Sequence, residues 1–152
     1  VGKVGWGPQL HETNLTPDEQ YSHISLWALL SAPLLIGCDM TQMSEFTLNL
    51  LTNDEVIEIN QDVLGKQAKR HSELNDIEIW TKELEDGSLA VGIFNRGMFS
   101  SKAVLKLADV GFDSHTIIRD VWRQKNLGIY VNRYETNIPS HGVKLITLSK
   151  PN

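Results

Sequence analysis

Acidic side chains are the first candidates for chemistry in this sequence, because several stand close enough together to work as an acid and a base. The groups are Asp18 with Glu19, Glu73 with Asp76, and Glu83 with Glu85 and Asp86. The first pair belongs to the first turn of a predicted helix, the second to a polar loop, and the third group to a predicted hairpin. Helix dipoles, turns and solvation explain all three, so none is predicted to be catalytic.

Metal ligands and nucleophiles have less support in the sequence. The five histidines show no paired spacing of the His-Glu-x-x-His kind, and residues 1–7, although rich in glycine, lack the preceding strand and the lysine pattern of a nucleotide-binding loop. The serines of the first helix stand outside any nucleophile-elbow motif. We therefore predict no metal and no cofactor. His23, on a helix predicted to be packed, is expected to be a hydrogen-bonded core histidine.

Asp39 and Trp6 are the two candidates for lining a substrate site. Asp39 follows Leu34-Leu35-Ile36, an apolar run without alternation between proline and glycine, which is typical of a strand covered on both faces. Chemistry collects at the carboxyl ends of strands in βα-type folds. A carboxylate there can also cap or orient the following loop, and this structural role is favoured for Asp39. Trp6 lies in a glycine-rich loop, where its ring could contact substrate.

A capped helix is predicted just before the Asp39 segment. Thr16 suits the N-cap position, and Glu19 follows three residues later, as a capping box requires. Pro33 ends this helix by disfavouring α geometry at the residue before it. Ser44 and Asn53 can cap two further short helices. The first part of the chain is therefore expected to be helical around one buried strand.

After Gly65 the hydrophobic pattern changes from helical to alternating, which predicts a domain boundary between residues 1–65 and residues 66–152. Apolar segments then recur at separations of about 8–12 residues, as in an antiparallel β-sandwich. The predicted strands are 77–81, 89–94, 103–107, 116–122, 128–132 and 143–148. The β part can close a core of its own, whereas the first part is apolar on several sides and needs partners from elsewhere.

Trp80 and Trp122 lie in predicted strands, where they could fill the sandwich core or form an exposed platform for a sugar. Their alternation with polar residues favours the core. An exposed planar pair would favour a sugar-binding module, and burial would oppose it. The neighbours Arg119 and Asp120 point to opposite faces of a strand, so one of them is expected to face inward at a sheet or domain boundary.

Composition excludes several classes of partner. The net charge is -5, with no long run of lysine or arginine, so neither nucleic acid nor an anionic membrane surface is expected as a partner. No apolar stretch approaches the ~18–20 residues of a membrane span. Cys38 has no second cysteine for an internal disulfide and is predicted to be a buried thiol. The start at Val1 suggests a cut chain, whose targeting segment would lie outside it.

Three stretches resemble glycoside hydrolase family 27, the α-galactosidases and α-N-acetylgalactosaminidases. Residues 25–40, SLWALLSAPLLIGCDM, resemble the segment before and through the family's last barrel strand. Residues 51–65 resemble the segment that ends in Asn-Gln-Asp-Pro-Leu-Gly, and residues 118–122 resemble a strand of the C-terminal domain. The resemblance spans nearly the whole chain and is most specific up to Gly65.

This resemblance implies the terminal βα elements of a (β/α)8 TIM barrel, followed by an antiparallel β-sandwich that braces it. It also implies a retaining glycosidase that removes terminal α-galactosyl or related residues without a cofactor, with the remainder of the barrel as intramolecular partner. The family's two catalytic aspartates lie on earlier strands, so no residue of this chain is expected to be catalytic. An extracellular, periplasmic or lysosome-like compartment is expected on the same ground.

Two departures from the family leave the substrate open. Val63 replaces the proline of the family's turn, and residues 5–15 form an expanded loop on the barrel face whose loops set specificity. Galactose, N-acetylgalactosamine and an arabinopyranose-type sugar are all possible. Two other functions also stay open, a carbohydrate-binding module and a purely structural β-sandwich.

Overall fold

A short hairpin and three helices precede eight further strands in the computed structural model, which describes residues 1–5, 7–112 and 114–151. The helices are α1 (Pro17–Leu29), α2 (Glu45–Leu51) and α3 (Asp54–Asn60). The strands are β1 (Lys3–Val4), β2 (His11–Glu12), β3 (Lys69–Leu74), β4 (Ile77–Glu83), β5 (Leu89–Asn95), β6 (Ser101–Lys106), β7 (Thr116–Asp120), β8 (Lys125–Tyr130), β9 (Arg133–Ile138) and β10 (Val143–Ser149). None of the helices in these ranges is long and apolar enough to cross a membrane.

The strands after α3 form a six-stranded antiparallel sheet in the order β3-β4-β5-β10-β7-β8 and a two-stranded sheet, β6-β9. One core cluster joins the two sheets, with Ile93 from the larger sheet and Leu105 from the smaller one among its members. A second cluster joins the opposite face of the larger sheet to the three helices. The described residues therefore form three layers, with the large sheet in the middle.

Strand β5 is buried on both faces, which explains why its sequence is apolar from Leu89 to Phe94. Val91 and Ile93 face the small sheet, whereas Ala90 and Phe94 belong to the cluster that contains the helices. Gly92 lies on the helix side, and a Cβ atom there would come within 2.6 Å of the Leu29 Cδ1 atom. Glycine at this position allows α1 to approach the sheet closely.

The predicted helix caps are confirmed. The backbone N–H of Thr16 donates to Glu19 Oε2 at 2.8 Å, and the N–H of Glu19 donates to the Thr16 hydroxyl at 3.3 Å. Ser44 and Asn53 accept backbone N–H groups at the starts of α2 and α3, each at 3.1 Å. Local side-chain hydrogen bonds thus determine where all three helices begin.

The segment Leu34–Gly37 differs from its prediction, because it forms neither a strand nor a buried segment. Leu35 is 77% exposed and Ile36 is 54% exposed. A strand needs a neighbour for its backbone hydrogen bonds, and no other strand of the described chain pairs with these residues. The apolar pattern is therefore that of a strand, but the partner that would complete it is not part of the described residues.

Besides the short β1–β2 hairpin, two strands occur where the sequence predicted none, β3 and β9. All six residues of β3 are exposed, so β3 has no hydrophobic alternation and depends on its pairing with β4. In β9 the buried Tyr134 and Ile138 lie on one face, as the strand period of two requires, but the polar Thr136 lies between them on that face and interrupts the hydrophobic alternation. Both strands form through backbone pairing that a local pattern does not reveal.

Candidate functional site

The Asp39 carboxylate caps the turn that follows the unpaired apolar segment. Its Oδ1 atom accepts hydrogen bonds from the backbone N–H of Thr41 at 2.9 Å and from the Thr41 hydroxyl at 2.7 Å, and Oδ2 accepts from Gln42 Nε2 at 3.0 Å. The Thr41 hydroxyl bond and then its N–H bond lower the pKa of Asp39, with smaller contributions from Gln42 and Lys3. Asp39 is therefore an ionised acceptor that orders its loop, as the favoured interpretation predicted.

The β1–β2 hairpin is joined to this turn. Lys3 Nζ donates to Gln42 Oε1 at 2.9 Å, and the backbone N–H of Asp39 donates to the Lys3 carbonyl at 3.3 Å. Gly2 has a φ of 69°, and a Cβ atom there would lie 3.0 Å from Cys38 Cβ. Trp6, the second predicted site residue, follows β1 closely in sequence but lies outside the described residues. Cys38 was predicted to be a buried thiol, but it is intermediate in exposure.

An apolar groove of about 410 Å³ lies beside the unpaired segment. We define this groove by Val4, Ile24, Trp27, Leu35, Ile36 and Leu51, which line it together with their neighbours. His23 also lines it and is exposed, with its ring centroid 5.3 Å from that of Trp27, so its predicted place in the core was wrong. Partial burial and then the positive chain terminus lower the pKa of His23. The groove offers apolar contact area and little hydrogen bonding.

The acidic groups singled out in the sequence have structural partners in most cases. Glu19 belongs to the α1 capping box, Asp86 accepts from the Ser88 N–H at 2.9 Å, and Glu83 binds Lys66 at 2.5 Å. Hydrogen bonds from Thr16 lower the pKa of Glu19, and the one from Lys66 lowers the pKa of Glu83. Among the described residues, no three His, Cys, Asp or Glu side chains are grouped so that they could hold a metal.

Arg119 and Asp120 connect the layers, as expected for a boundary position. Arg119 binds Glu55 of α3 through two hydrogen bonds of 2.9 and 2.5 Å, and these raise the pKa of its guanidinium. Asp120 is 1% exposed and binds both Lys144 and Arg123. Burial alone would raise the pKa of Asp120, but the hydrogen bonds from Lys144 and Arg123 bring it below its ordinary value.

A buried lysine that the sequence did not single out joins the helices to the sheet. Lys82 of β4 is 1% exposed, and its Nζ donates to the Lys66 carbonyl at 2.7 Å and to Ser31 Oγ at 3.0 Å. Burial lowers the pKa of Lys82, and nearby Asp62 opposes that shift. The available signal was its place on the face of β4 that also carries Trp80, two residues earlier in the strand.

Trp80 and Trp122 are half-buried against the helix side of the sheet and do not stand free on an exposed face. Trp122 Nε1 donates to Ser25 Oγ at 2.8 Å, and Trp80 Nε1 donates to Glu78 Oε2 at 2.9 Å. The predicted core position is closer to this arrangement than the exposed platform. This arrangement argues against a sugar-binding module in which these two rings form an exposed platform on the sandwich.

Comparison with protein families matches both parts of the chain. Residues 74–148 match the model described as "Alpha galactosidase C-terminal beta sandwich domain", and residues 10–62 match the model described as "Alpha galactosidase A". This chain belongs to glycoside hydrolase family 27. The resemblance and the antiparallel β-sandwich predicted from the sequence are both confirmed.

The relatives that this chain matches are longer than it is. It is 38% identical to alpha-galactosidase 2 of Arabidopsis thaliana over 90% of this chain, and 36% identical to an alpha-galactosidase of Cyamopsis tetragonoloba over 98%. The chain spans only 35% and 38% of these two relatives. A family 27 β-L-arabinopyranosidase from Geobacillus stearothermophilus, solved with arabinose, has a TM-score of 0.93 at 29% identity, over 100% of this chain and 36% of that one.

Proposed function

We propose that this chain is the C-terminal part of a retaining glycosidase that removes terminal α-galactosyl or related residues. Residues 1–65 are the last βα elements of its (β/α)8 barrel, and residues 66–152 form the β-sandwich that braces the barrel. The observation that carries this proposal is the segment Leu34–Gly37, an apolar strand sequence beside which the described residues place no strand, in a chain that spans about a third of its relatives. The rest of the barrel is its intramolecular partner.

The physical case for that partner rests on Leu35, Ile36 and the apolar groove. In a closed barrel every strand pairs with two neighbours, so a last strand has both of its edges and its inner face covered by other barrel strands. The 77% exposure of Leu35 is unfavourable in water and becomes favourable once those strands are present. Ile24 and Trp27 of helix α1 line the same groove as this segment, so an apolar helix side already faces it.

In this arrangement the chain contributes structure to the active site and leaves the acid and nucleophile to preceding strands. Asp39 stands at the carboxyl end of the last strand, where its hydrogen bonds to Thr41 and Gln42 fix a loop on the catalytic face. Lys3 couples that loop to the β1–β2 hairpin, whose sequence neighbour Trp6 is the proposed substrate contact. Asp39 and Trp6 thus both affect how the sugar is positioned.

A hybrid enzyme tests the proposal. The preceding barrel part of the Cyamopsis tetragonoloba relative is joined to this chain, and hydrolysis of p-nitrophenyl α-D-galactopyranoside, the α-N-acetylgalactosaminide and the β-L-arabinopyranoside is measured. We expect the hybrid to cleave at least one of these glycosides and this chain alone to cleave none. A hybrid that folds but cleaves none, or hydrolysis by this chain alone, would contradict the proposal. The preferred glycoside identifies the sugar.

A further inference from the structure

A second cavity, of about 250 Å³, lies where α1, the turn after β7, β9 and β10 meet. None of its lining residues lines the apolar groove, and Asp39 lies outside both. Six of its lining residues carry the argument: Asp18, Tyr21, Trp122, Arg123, Asn137 and Lys144. We propose that this cavity binds a single neutral sugar ring, and we name it the accessory cavity. The proposal concerns binding only and does not depend on glycosidase activity.

Two aromatic rings give the accessory cavity an apolar wall. The centroids of Tyr21 and Trp122 lie 4.8 Å apart, with 76° between the ring planes. The Trp122 indole is fixed by its hydrogen bond to Ser25, and the Tyr21 ring also contacts Phe46 at 5.7 Å between centroids. A pyranose carries C–H groups that pack on such rings. Because both rings are held by other contacts, they need little ordering when a ligand binds.

Polar groups with spare hydrogen-bonding capacity stand around these rings. Arg123 donates from Nη1 to Asp120, and its guanidinium carries four further N–H groups. The exposed side chains of Asp18 and Asn137 supply acceptor oxygens, and Asn137 also supplies an N–H₂ donor. Hydroxyl groups both donate and accept, so a polyol is the class of ligand that can satisfy this mixture of donors and acceptors.

The charge balance and the volume of the accessory cavity narrow the class of ligand further. The positive charges of Arg123 and Lys144 are balanced by the carboxylates of Asp18 and Asp120, so the cavity does not favour an anion. Its volume lies just below the range of roughly 300–1,000 Å³ that holds drug-sized ligands. One sugar ring therefore fits the cavity, and a chain of several rings does not.

Nuclear magnetic resonance of the full 152-residue chain tests the accessory cavity. Methyl α-D-galactopyranoside and methyl α-D-glucopyranoside are titrated separately, with inorganic phosphate as the anionic probe, and the indole N–H of Trp122 and the amides of Arg123 and Asn137 are followed. We expect saturable shifts with at least one sugar, a dissociation constant on the order of millimolar and no saturable shift with phosphate. Absence of a saturable response to both sugars, or a response to phosphate alone, would overturn the proposal.

Two variants and a matched control assign the response to the cavity. Asp18→Ala and Asn137→Ala each remove one polar contact and are expected to weaken sugar binding about tenfold. Asp54→Ala removes an equivalent exposed aspartate from the first turn of α3 and should leave binding unchanged. If both cavity variants bind the sugar as tightly as the wild-type chain does, the sugar binds elsewhere and the assignment is refuted. Thermal unfolding of each variant confirms that the chain is folded, and two independent positions keep the test decisive if one variant unfolds.

Discussion

At the scale of single residues, Asp120 shows how a buried charge can be stabilised by partners that belong to different elements. Arg123 follows in the turn after β7, and Lys144 reaches across from β10. A buried carboxylate with two cationic partners is costly to disrupt from either side, because the remaining charges are then unpaired. The sequence predicted an inward-facing residue at this pair, and hydrophobic alternation could not say which cations would meet it.

Asp120→Asn is expected to destabilise the chain by roughly 3 kcal/mol at pH 7, since Lys144 loses its buried counter-charge. The pKa of Asp120 is lower in the folded state, so its stabilisation is present above the unfolded pKa of about 3.9 and is lost as pH falls through the lower folded value. Urea unfolding measured across this pH range should therefore show a weaker acid dependence in the variant. Glu135→Gln, at an exposed ion pair with Lys102, is the control and should change the stability little.

Asp39 and Trp6 are distinguished by their kinetic effects in the hybrid enzyme. Trp6→Ala should raise KM about tenfold with kcat little changed, because it removes a contact made equally by bound substrate and transition state. Asp39→Ala should lower kcat/KM by about 10- to 100-fold by releasing the loop that it caps. Asp39→Asn keeps part of the cap and should recover much of this loss. If Asp39→Ala leaves the kinetics unchanged, Asp39 serves only as a structural cap. If Trp6→Ala leaves KM unchanged, Trp6 does not contact the substrate.

At the scale of elements, the packing of α1 on β5 is set by the absence of one side chain. Gly92→Ala places a methyl group 2.6 Å from both Leu29 Cδ1 and Phe94 Cε2, so we expect a loss of about 1–3 kcal/mol in the free energy of unfolding. Gly37→Ala is the matched control, because nothing lies within 4 Å of a Cβ atom there. Leu29→Ala combined with Gly92→Ala should cost less than the sum of the two single changes, since the clash with Leu29 is relieved and only the contact with Phe94 remains. Equal stability of Gly92→Ala and wild type would contradict the close approach.

The elements also show why sequence patterns predict some parts of this fold and miss others. Helix starts at Thr16, Ser44 and Asn53 depend on hydrogen bonds within three residues, and such local chemistry is visible in the sequence. Strand β3 is exposed along its whole length, so only its pairing with β4 defines it. Lys82 is buried because the ends of α1 and of the connection to the sheet supply oxygens for its ammonium group. Contacts between distant residues leave no local pattern.

At the scale of the whole molecule, the three described layers leave one apolar segment exposed. The helices cover one face of the large sheet, and the unpaired segment Leu34–Gly37 lies beyond them with its apolar groove. Changing Leu35→Ser together with Ile36→Ser should leave this chain's stability within about 0.5 kcal/mol, because both side chains are exposed here.

In the hybrid enzyme the same double change should abolish folding or activity, because each side chain would then be buried among barrel strands. Thermal unfolding of both forms makes the comparison, with Val63→Ser as the control, since Val63 is exposed at a position outside the groove. Equal tolerance in the hybrid would argue against burial of this segment. The effect of the double change in the hybrid enzyme can thus be compared directly with its effect in this chain.

Burial of β5 on both faces has a consequence for how such enzymes can be divided or recombined. A cut near residue 65, where the sequence pattern changes, would remove the helices from this face of the large sheet. It would expose an apolar surface formed by Ala90, Phe94, Val121 and Leu145 to water. The sandwich therefore depends on α1, α2 and α3 to cover this face of its large sheet. A gene fusion that joins the β-sandwich to another protein must therefore include these helices, or supply another apolar surface that packs on the same face of the sheet.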